Sequence, residues 1–388
     1  LKINSIHIEG VAGIWDLKIP FHPRMNILCG PNAIGKTTVL ECVAHCFSVG
    51  ESNVLKRHFA AESSRIQATL AHGDARHAVD IKFDQYEANK PAQIHGRYEQ
   101  CAFLLSLKTT RTFAYKSLDA VGKDTEKPAH VIRGEAMNGI SLADVKNWFV
   151  NRYLYSKHLE ALSDEQLENF ALAKECFSAL NKDFAFSNVN ASSNEILVTT
   201  PTGEVYYEYL SSGFKSCLAI IFGIIKEIEF RFPKTKAKDF DGVVLIDEVE
   251  LHLHPEWQYR IANVLTTIFP KVQFIVTTHS PHVIQSAEPN QILALESHSG
   301  KVKLRDLPKS AYGFKGWTLD EVLTDVMGMK DTRTETYNKL MDQFSAAIDR
   351  EDHAAAKQAY EQLALSLHPS SHVPKLLRLQ LASIVGVS

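Results

Sequence analysis

Gly30-Pro31-Asn32-Ala33-Ile34-Gly35-Lys36-Thr37 decides the fold. The string fits G-x-x-x-x-G-K-[ST] at every fixed position. Its flanks fit as well, since Met25 to Cys29 reads as an apolar strand and Lys36 to about Phe47 as a helix. A strand that feeds a glycine-rich turn and then a helix N-terminus aims successive backbone N–H groups at one point, the arrangement that cradles phosphate oxygens. Gly30, Asn32, Gly35 and Thr38 are therefore candidate cradle residues. Lys36 is the cation that reaches β and γ phosphates, and Thr37 offers a hydroxyl to Mg²⁺.

A second string lies far downstream. Val243-Val244-Leu245-Ile246 is an apolar strand that ends in Asp247-Glu248. A carboxylate at the end of a buried strand can enter the shell of a Mg²⁺ ion, so Asp247 joins Thr37 as a candidate metal ligand. Glu248 is placed to orient or deprotonate an attacking water. Thr277-Thr278-His279-Ser280 ends the next buried strand and makes His279 a candidate for sensing a terminal phosphate. Upstream, Leu210-Ser211-Ser212-Gly213 joins a strand to a helix N-terminus, a second anion-binding device. Taken alone, that turn reads equally well as a helix cap.

Composition bounds what surrounds these strings. The 388 residues allow one large domain with an appendage or two ordinary domains. Lys plus Arg number 42 against 45 Asp plus Glu, a formal charge of −3, which removes a strongly basic nucleic-acid coat and an acidic tail as first readings and leaves a local basic groove open. The longest apolar run, Cys217 to Ile225, falls far short of the ~20 residues a bilayer-spanning helix needs. The N-terminus alternates like a strand and lacks the plan of a secretory signal. The six cysteines are scattered without C-x-x-C pairs and read as reduced, buried thiols. A cytoplasmic protein with no membrane contact is expected.

Along the chain, strands are expected at Lys2 to Glu9 and Trp15 to Ile19, with a hairpin of Ser64 to Leu70 and His77 to Phe83. Cys101 to Leu107 reads as a buried strand. Residues 117 to 140 are poorest in pattern and read as a flexible connection. Ser141 is expected to cap a helix to about His158, and Ser163-Asp164-Glu165-Gln166 has capping-box spacing for another to about Leu180. Strands at Glu195 to Thr199 and Glu204 to Tyr209 precede a long apolar helix, Lys215 to Phe230. Gly242 to Ile246 and Val272 to Thr277 are apolar enough to be buried on both faces of a parallel sheet. From about Thr318 the chain reads as helical, with helices at about Thr334 to Asp349, His353 to Leu367 and Pro374 to Ile384.

The four strings together, in their order along the chain, resemble the ATP-binding-cassette ATPases of the SMC-like and overcoming-lysogenization-defect-like branch, relatives of RecF. In that family's terms Gly30 to Thr37 is Walker A, Leu210 to Gly213 the signature, Asp247-Glu248 the end of Walker B and His279 the switch histidine. Asp247-Glu248-Val249-Glu250-Leu251-His252-Leu253-His254-Pro255 looks like the branch's D-E-P-E-x-H-L-H-P, with Val249 in place of proline. The resemblance implies an α/β fold: a bilobed ABC-type P-loop ATPase head over 1–306, with a helical insertion at about 141–182. A C-terminal all-helical extension over 307–388 follows. It implies ATP and Mg²⁺ as ligands. It also implies head-to-tail pairing of two copies, in which Ser211, Ser212 and Gly213 touch ATP held by the partner's Walker A.

Departures narrow the family. The family's glutamine loop has no clear match: Gln67 comes too early, and Leu107-Lys108-Thr109-Thr110-Arg111-Thr112 is a candidate substitute. Phe214 replaces a polar residue that often ends the signature. The insertion is too short for a long coiled coil. No acidic cluster after His279 marks a nuclease domain. A metal site built from Glu250, His252, His254, His279 and His282 lacks a cysteine and a reason for four ligands to converge. The basic run Arg231, Lys234, Lys236 and Lys238 fits either a phosphate backbone or a solvated loop. The tail looks like that of Septu-type and retron-associated ATPases of bacterial antiphage defence. The expected function is thus a nucleotide-gated ATPase of the AAA family that regulates a separate effector, such as a nuclease, in that defence. The alternative is a RecF/SMC-like repair or chromosome-maintenance ATPase that binds DNA directly. Contact with DNA or RNA is open on sequence alone.

Overall fold

Met-Asn-Ile-Leu-Cys, residues 25–29, can be buried on both faces only inside a layered α/β structure, and that is its place. The computed structural model describes the chain apart from residues 112–116, 125–126, 309–312, 369 and 385–388. Its central sheet has six strands, in the order β15 (Lys301–Leu304), β14 (Ile292–His298), β3 (Met25–Cys29), β13 (Gln273–Thr277), β12 (Val243–Ile246) and β8 (Leu104–Leu107). Every pairing from β14 to β8 is parallel, and only β15 runs against its neighbour. Alternate residues of the inner strands divide between two cores. Met25, Ile27, Val244, Ile246, Phe274 and Val276 enter one, while Leu28, Val243, Leu245 and Ile275 enter the other.

Parallel pairing in close register aligns the strand ends. Ile246 lies opposite Leu107 and Val276, and Leu28 opposite Thr277. The residues that follow β3, β8, β12 and β13 therefore emerge along one edge, the place where open α/β sheets bind ligands.

The second core packs α1 (Lys36–His45) beneath an antiparallel sheet of β2 (Ile14–Pro20), β1 (Lys2–Val11), β5 (Ser64–His72) and β6 (Ala75–Phe83), in which β5 and β6 form the expected hairpin. A small ribbon, β4 (Val49–Ser52) with β7 (Ala92–His95), adjoins it in sequence and is not evident from patterning. The first core packs α5 (Ser212–Arg231) and α6 (Pro255–Ile268) against the sheet, and α7 (Pro281–Ser286) follows β13.

The segment expected to be a flexible connection contains α2 (Ala129–Asn138) instead. Its order comes from buried ion pairs. Lys127 reaches Glu135 at 2.7 Å and Glu227 of α5 at 2.6 Å, and Arg231 reaches Glu135 at 2.6 Å. The helix expected from Ser141 begins later, as α3 (Val145–Tyr155), since Ser141 Oγ accepts from Ala143 N–H in a local turn. The capping box at Ser163 does open α4 (Asp164–Leu180). The following sheet has β9 (Ala185–Val189), β10 (Ile196–Thr200) and β11 (Gly203–Tyr206), and the expected strand to Tyr209 ends early in a 3₁₀ turn at Tyr207.

Arg152 of α3 is 1% exposed and donates to Glu229 of α5, from Nε to Oε1 at 2.7 Å, and to Asn151 at 2.7 Å, with a further contact to Asp124. Trp148 Nε1 and Asn169 Nδ2 complete the shell of Glu229 at 3.1 and 3.3 Å. Burial pushes the Glu229 carboxyl up, and Arg152 opposes it. Arg152→Ala strands that carboxylate in the core and is expected to cost about 3–5 kcal/mol of stability. Urea unfolding of the purified protein measures it; a midpoint unchanged from wild type would show the network to be incidental.

The chain divides into two compact units, Leu1–Gly328 and Met329–Ser388. Residues beyond the expected boundary at 306 stay with the first unit because Phe314, Val322, Val326 and Met327 are buried in its core. There α8 (Leu319–Glu321) runs into a π-helical turn, Val322–Val326, whose Thr324 and Asp325 carbonyls accept from Arg305 Nη1 at 3.0 and 2.7 Å. The second unit consists of α9 (Glu335–Asp349), α10 (His353–Ser366) and α11 (Val373–Ser383) around Phe344, Ala356, Leu363 and Leu377. No helix among the described residues is long and apolar enough to cross a membrane.

Candidate functional site

The phosphate loop leaves β3 at Gly30, whose φ is 136° and whose missing side chain makes room for the carbonyl oxygen of Leu295 on β14. Ala33 at φ 59° and Gly35 at φ 104° complete a turn of alternating handedness that leads into α1. Such a turn exposes successive N–H groups to one anion. Lys36 is buried and curls back into the loop, donating to the carbonyls of Gly30 and Pro31, both at 2.9 Å. An ammonium has three donors, so one remains for a phosphate oxygen. Burial holds the Lys36 pKa below its ordinary value, while Cys29, Glu250, Glu248 and Asp247 pull the other way.

Thr37 Oγ1 lies 3.2 Å from both carboxylate oxygens of Asp247, a residue 210 positions away. Asp247 also accepts from Thr277 Oγ1 at 2.6 Å, and its own N–H donates to the Leu107 carbonyl at 2.9 Å, so three neighbouring strands fix it. A hydroxyl and a carboxylate held edge to edge are hard oxygen donors suited to a small divalent cation, and the residues present fit Mg²⁺. Glu248 follows at φ 49°, a conformation that costs a non-glycine residue of order 1 kcal/mol or more. The conformation is held by its N–H, which donates to Thr277 Oγ1 at 2.7 Å.

Glu250 is the residue that motif reading undervalues. Its carboxylate accepts from Thr278 Oγ1 at 2.7 Å and from the His279 N–H at 2.5 Å, clasping the turn after β13 to the turn after β12. The His279 ring is exposed. His254 caps α6 through Nδ1, with Pro255 at the first helical position. Among the described residues no group of three or more His, Cys, Asp or Glu is placed to hold a metal ion by itself.

The signature turn opens α5. Ser211 Oγ caps the helix by accepting from the Phe214 N–H at 3.3 Å, and Ser212 is exposed. Gly213 is pressed against the turn after Walker B: a Cβ there would lie 3.2 Å from the His254 nitrogen and 3.2 Å from the Trp257 ring. Phe214 faces the core, edge-on to Trp257 at 5.4 Å, so the aromatic substitution serves packing.

Two family models match: one described as AAA domain, over residues 5–199, and one described as AAA domain, putative AbiEii toxin, Type IV TA system, over residues 137–285. The Septu protein PtuA of Bacillus thuringiensis is 41% identical over 388 residues, covering 98% of both chains. The chain belongs to the Septu PtuA family. The Retron Ec83 probable ATPase of Escherichia coli is 32% identical to this PtuA-family chain over 174 residues, 44% of this chain and 31% of that one. The SMC head domain from Thermotoga maritima matches 80% of this chain and 100% of its own at 14% identity, with a TM-score of 0.47.

In this PtuA-family chain the structure joins Walker A to Walker B through Thr37 and Asp247, with Lys36 and Glu248 beside them. Among the described residues that hydrogen-bonded network does not extend to Ser212 or to the His279 ring. The segment weighed as a glutamine-loop substitute does reach the site: Arg111 donates to the carbonyls of Asp247, at 2.6 Å, and Glu248. Thr112 lies outside the described residues. The basic run is largely neutralised, because Arg231 has no exposed side-chain surface and Lys236 and Lys238 pair with Glu168 and Glu175, while Lys234 is exposed. Spacing alone gives no sign of those partners.

Proposed function

We propose that this chain is an ATP-hydrolysing switch that pairs head to tail and gates a separate effector, such as a nuclease, in antiphage defence. The observation that carries the reading is the Thr37 hydroxyl held against the Asp247 carboxylate at the mouth of the phosphate loop. The retron relative's printed name, a probable ATPase, supports the activity. Gly30, Asn32, Gly35 and Thr38 would frame the phosphates, and Lys36 would bind the β and γ oxygens. Thr37 and Asp247 would hold Mg²⁺, which supplies charge neutralisation on those oxygens. Glu248 would accept a proton from water as the water oxygen bonds to the γ phosphorus and the bridging oxygen leaves with ADP. His279 would steady the departing phosphate.

Exposure of Ser212 beside Ser211, the exposed residue that caps α5, suits a surface that meets a partner's nucleotide. The DNA-binding alternative has less support, because three members of the basic run are committed to acids, Arg231 in the interior and Lys236 and Lys238 at the surface, and only Lys234 is exposed apart from those pairs. Size-exclusion chromatography with a non-hydrolysable ATP analogue tests the pairing. The wild-type protein is expected to shift to a larger assembly, while Ser212→Tyr keeps nucleotide affinity within about threefold and fails to shift. An analogue that leaves the wild-type elution unchanged would refute head-to-tail gating. Copurification with the product of the adjacent gene tests the effector.

A further inference from the structure

The stretch from Lys108 to Arg111 is tied to both halves of the nucleotide site. β8 and β12 lie in register, so the residues after Leu107 run beside those after Ile246. Lys108 Nζ donates to Glu41 Oε1 of α1 at 2.5 Å, fixing one end of the stretch to the helix that carries Walker A. At the other end Arg111 Nη1 donates to the Lys108 carbonyl at 3.0 Å and the Asp247 carbonyl at 2.6 Å, and Nη2 donates to the Glu248 carbonyl. The guanidinium thus grips the two peptide groups that set the direction of the Asp247 and Glu248 side chains.

Burial makes this grip unusual. Arg111 is 7% exposed, its hydrogen bonds among the described residues go to carbonyls rather than to a carboxylate, and its Nε is buried without a hydrogen-bond partner. A buried cation normally sits on a paired anion. Here the negative charge is supplied at longer range by Asp247, Glu250 and Glu248, while burial itself works against the charged form. Glu41 Oε2, at the far end of the same strap, is also buried without a hydrogen bond, with His45 Nδ1 at 3.9 Å. Polar groups left unsatisfied in a core are costly, and they persist where the arrangement does something other than stabilise the fold. The residue thereby held is Glu248, in its left-handed conformation at φ 49°.

We propose that Arg111 is a positioning residue for hydrolysis: its two-pronged grip on the Asp247 and Glu248 carbonyls aims the Glu248 carboxylate, and the Lys108–Glu41 pair couples that aim to α1. The inference rests on the reading of this site as an ATPase. It requires a planar fork with two donors in fixed directions, which lysine cannot supply. Loss of the fork should impair turnover and leave nucleotide binding alone, since neither prong is directed at the phosphate loop and Asp247 keeps its ties to Thr37, Thr277 and Leu107.

Steady-state kinetics and nucleotide binding on the full chain test it, with Arg111→Ala and Arg111→Lys. Both variants are expected to lose about 10- to 100-fold in kcat while KM and nucleotide Kd stay within about threefold. Added guanidinium ion is expected to restore part of the Arg111→Ala loss and none of the Arg111→Lys loss. Should Arg111→Ala fail to fold, Arg111→Lys, which keeps the charge and the length, carries the kcat-against-KM measurement. A folded variant with kcat within threefold of wild type, or one whose KM and kcat change together, overturns the proposal. A wild-type protein that hydrolyses no ATP refutes the parent reading instead.

Discussion

Lys36→Ala is expected to weaken ATP binding by roughly 100- to 1,000-fold. The wild-type ammonium is already held over the loop by two carbonyls at 2.9 Å, so it pays little to reach a phosphate. Charge-assisted hydrogen bonds of this kind contribute about 1.5–3 kcal/mol each, and a lysine bridging two phosphates makes more than one. Burial sharpens the effect, because screening by water is weak where the side chain is 5% exposed. The loop loses two carbonyl contacts with the lysine but keeps the left-handed positions at Gly30, Ala33 and Gly35 that turn it. Titration calorimetry with ATP and Mg²⁺ reads the loss directly. An affinity within tenfold of wild type would mean that the phosphates sit elsewhere.

Glu248→Gln is expected to lower kcat by about 100- to 10,000-fold while leaving ATP affinity nearly unchanged. Glutamine keeps the shape and the backbone contacts, including the Glu248 N–H to Thr277 Oγ1 at 2.7 Å, and loses only the capacity to take a proton. It inherits the same φ of 49°, so folding stability should move little. Binding without turnover should then accumulate the ATP-bound assembly. Single-turnover hydrolysis, run beside a binding isotherm, separates the two effects. Turnover at the wild-type rate would assign the proton to another group.

The parts of the site that sequence makes legible are those written as contiguous strings. Gly30 to Thr37 carries its own turn, helix start and lysine. Asp247-Glu248 stands at the end of an unmistakably apolar strand, so the α/β character and the sheet edge follow from pattern alone. What escapes is whatever depends on a distant partner. Glu250 looks like one more acid in a loop until Thr278 and His279 close on it. Arg111 lies in an undistinguished stretch, and its meaning comes from β8 lying beside β12. α2 is invisible because its glycine and charges suggest solvent, whereas Lys127, Glu135, Glu227 and Arg231 neutralise one another out of water. Arg231 likewise reads as part of a basic surface and is buried.

The strand order also sets a timetable. β3 emerges early in synthesis, yet its hydrogen-bonding neighbours are Phe274–Thr277 and Ile292–Ala294. At roughly 5–20 residues per second the strand waits on the order of 15–50 s for its partners to be made. Through that interval five residues destined for full burial, and the phosphate loop they support, have no sheet to join. A nascent chain therefore cannot hold ATP until most of the head has been translated, and products that stop short of β13 lack the sheet on which the loop rests. The same delay exposes an apolar edge to aggregation, which makes the yield of active protein sensitive to translation speed and chaperone supply.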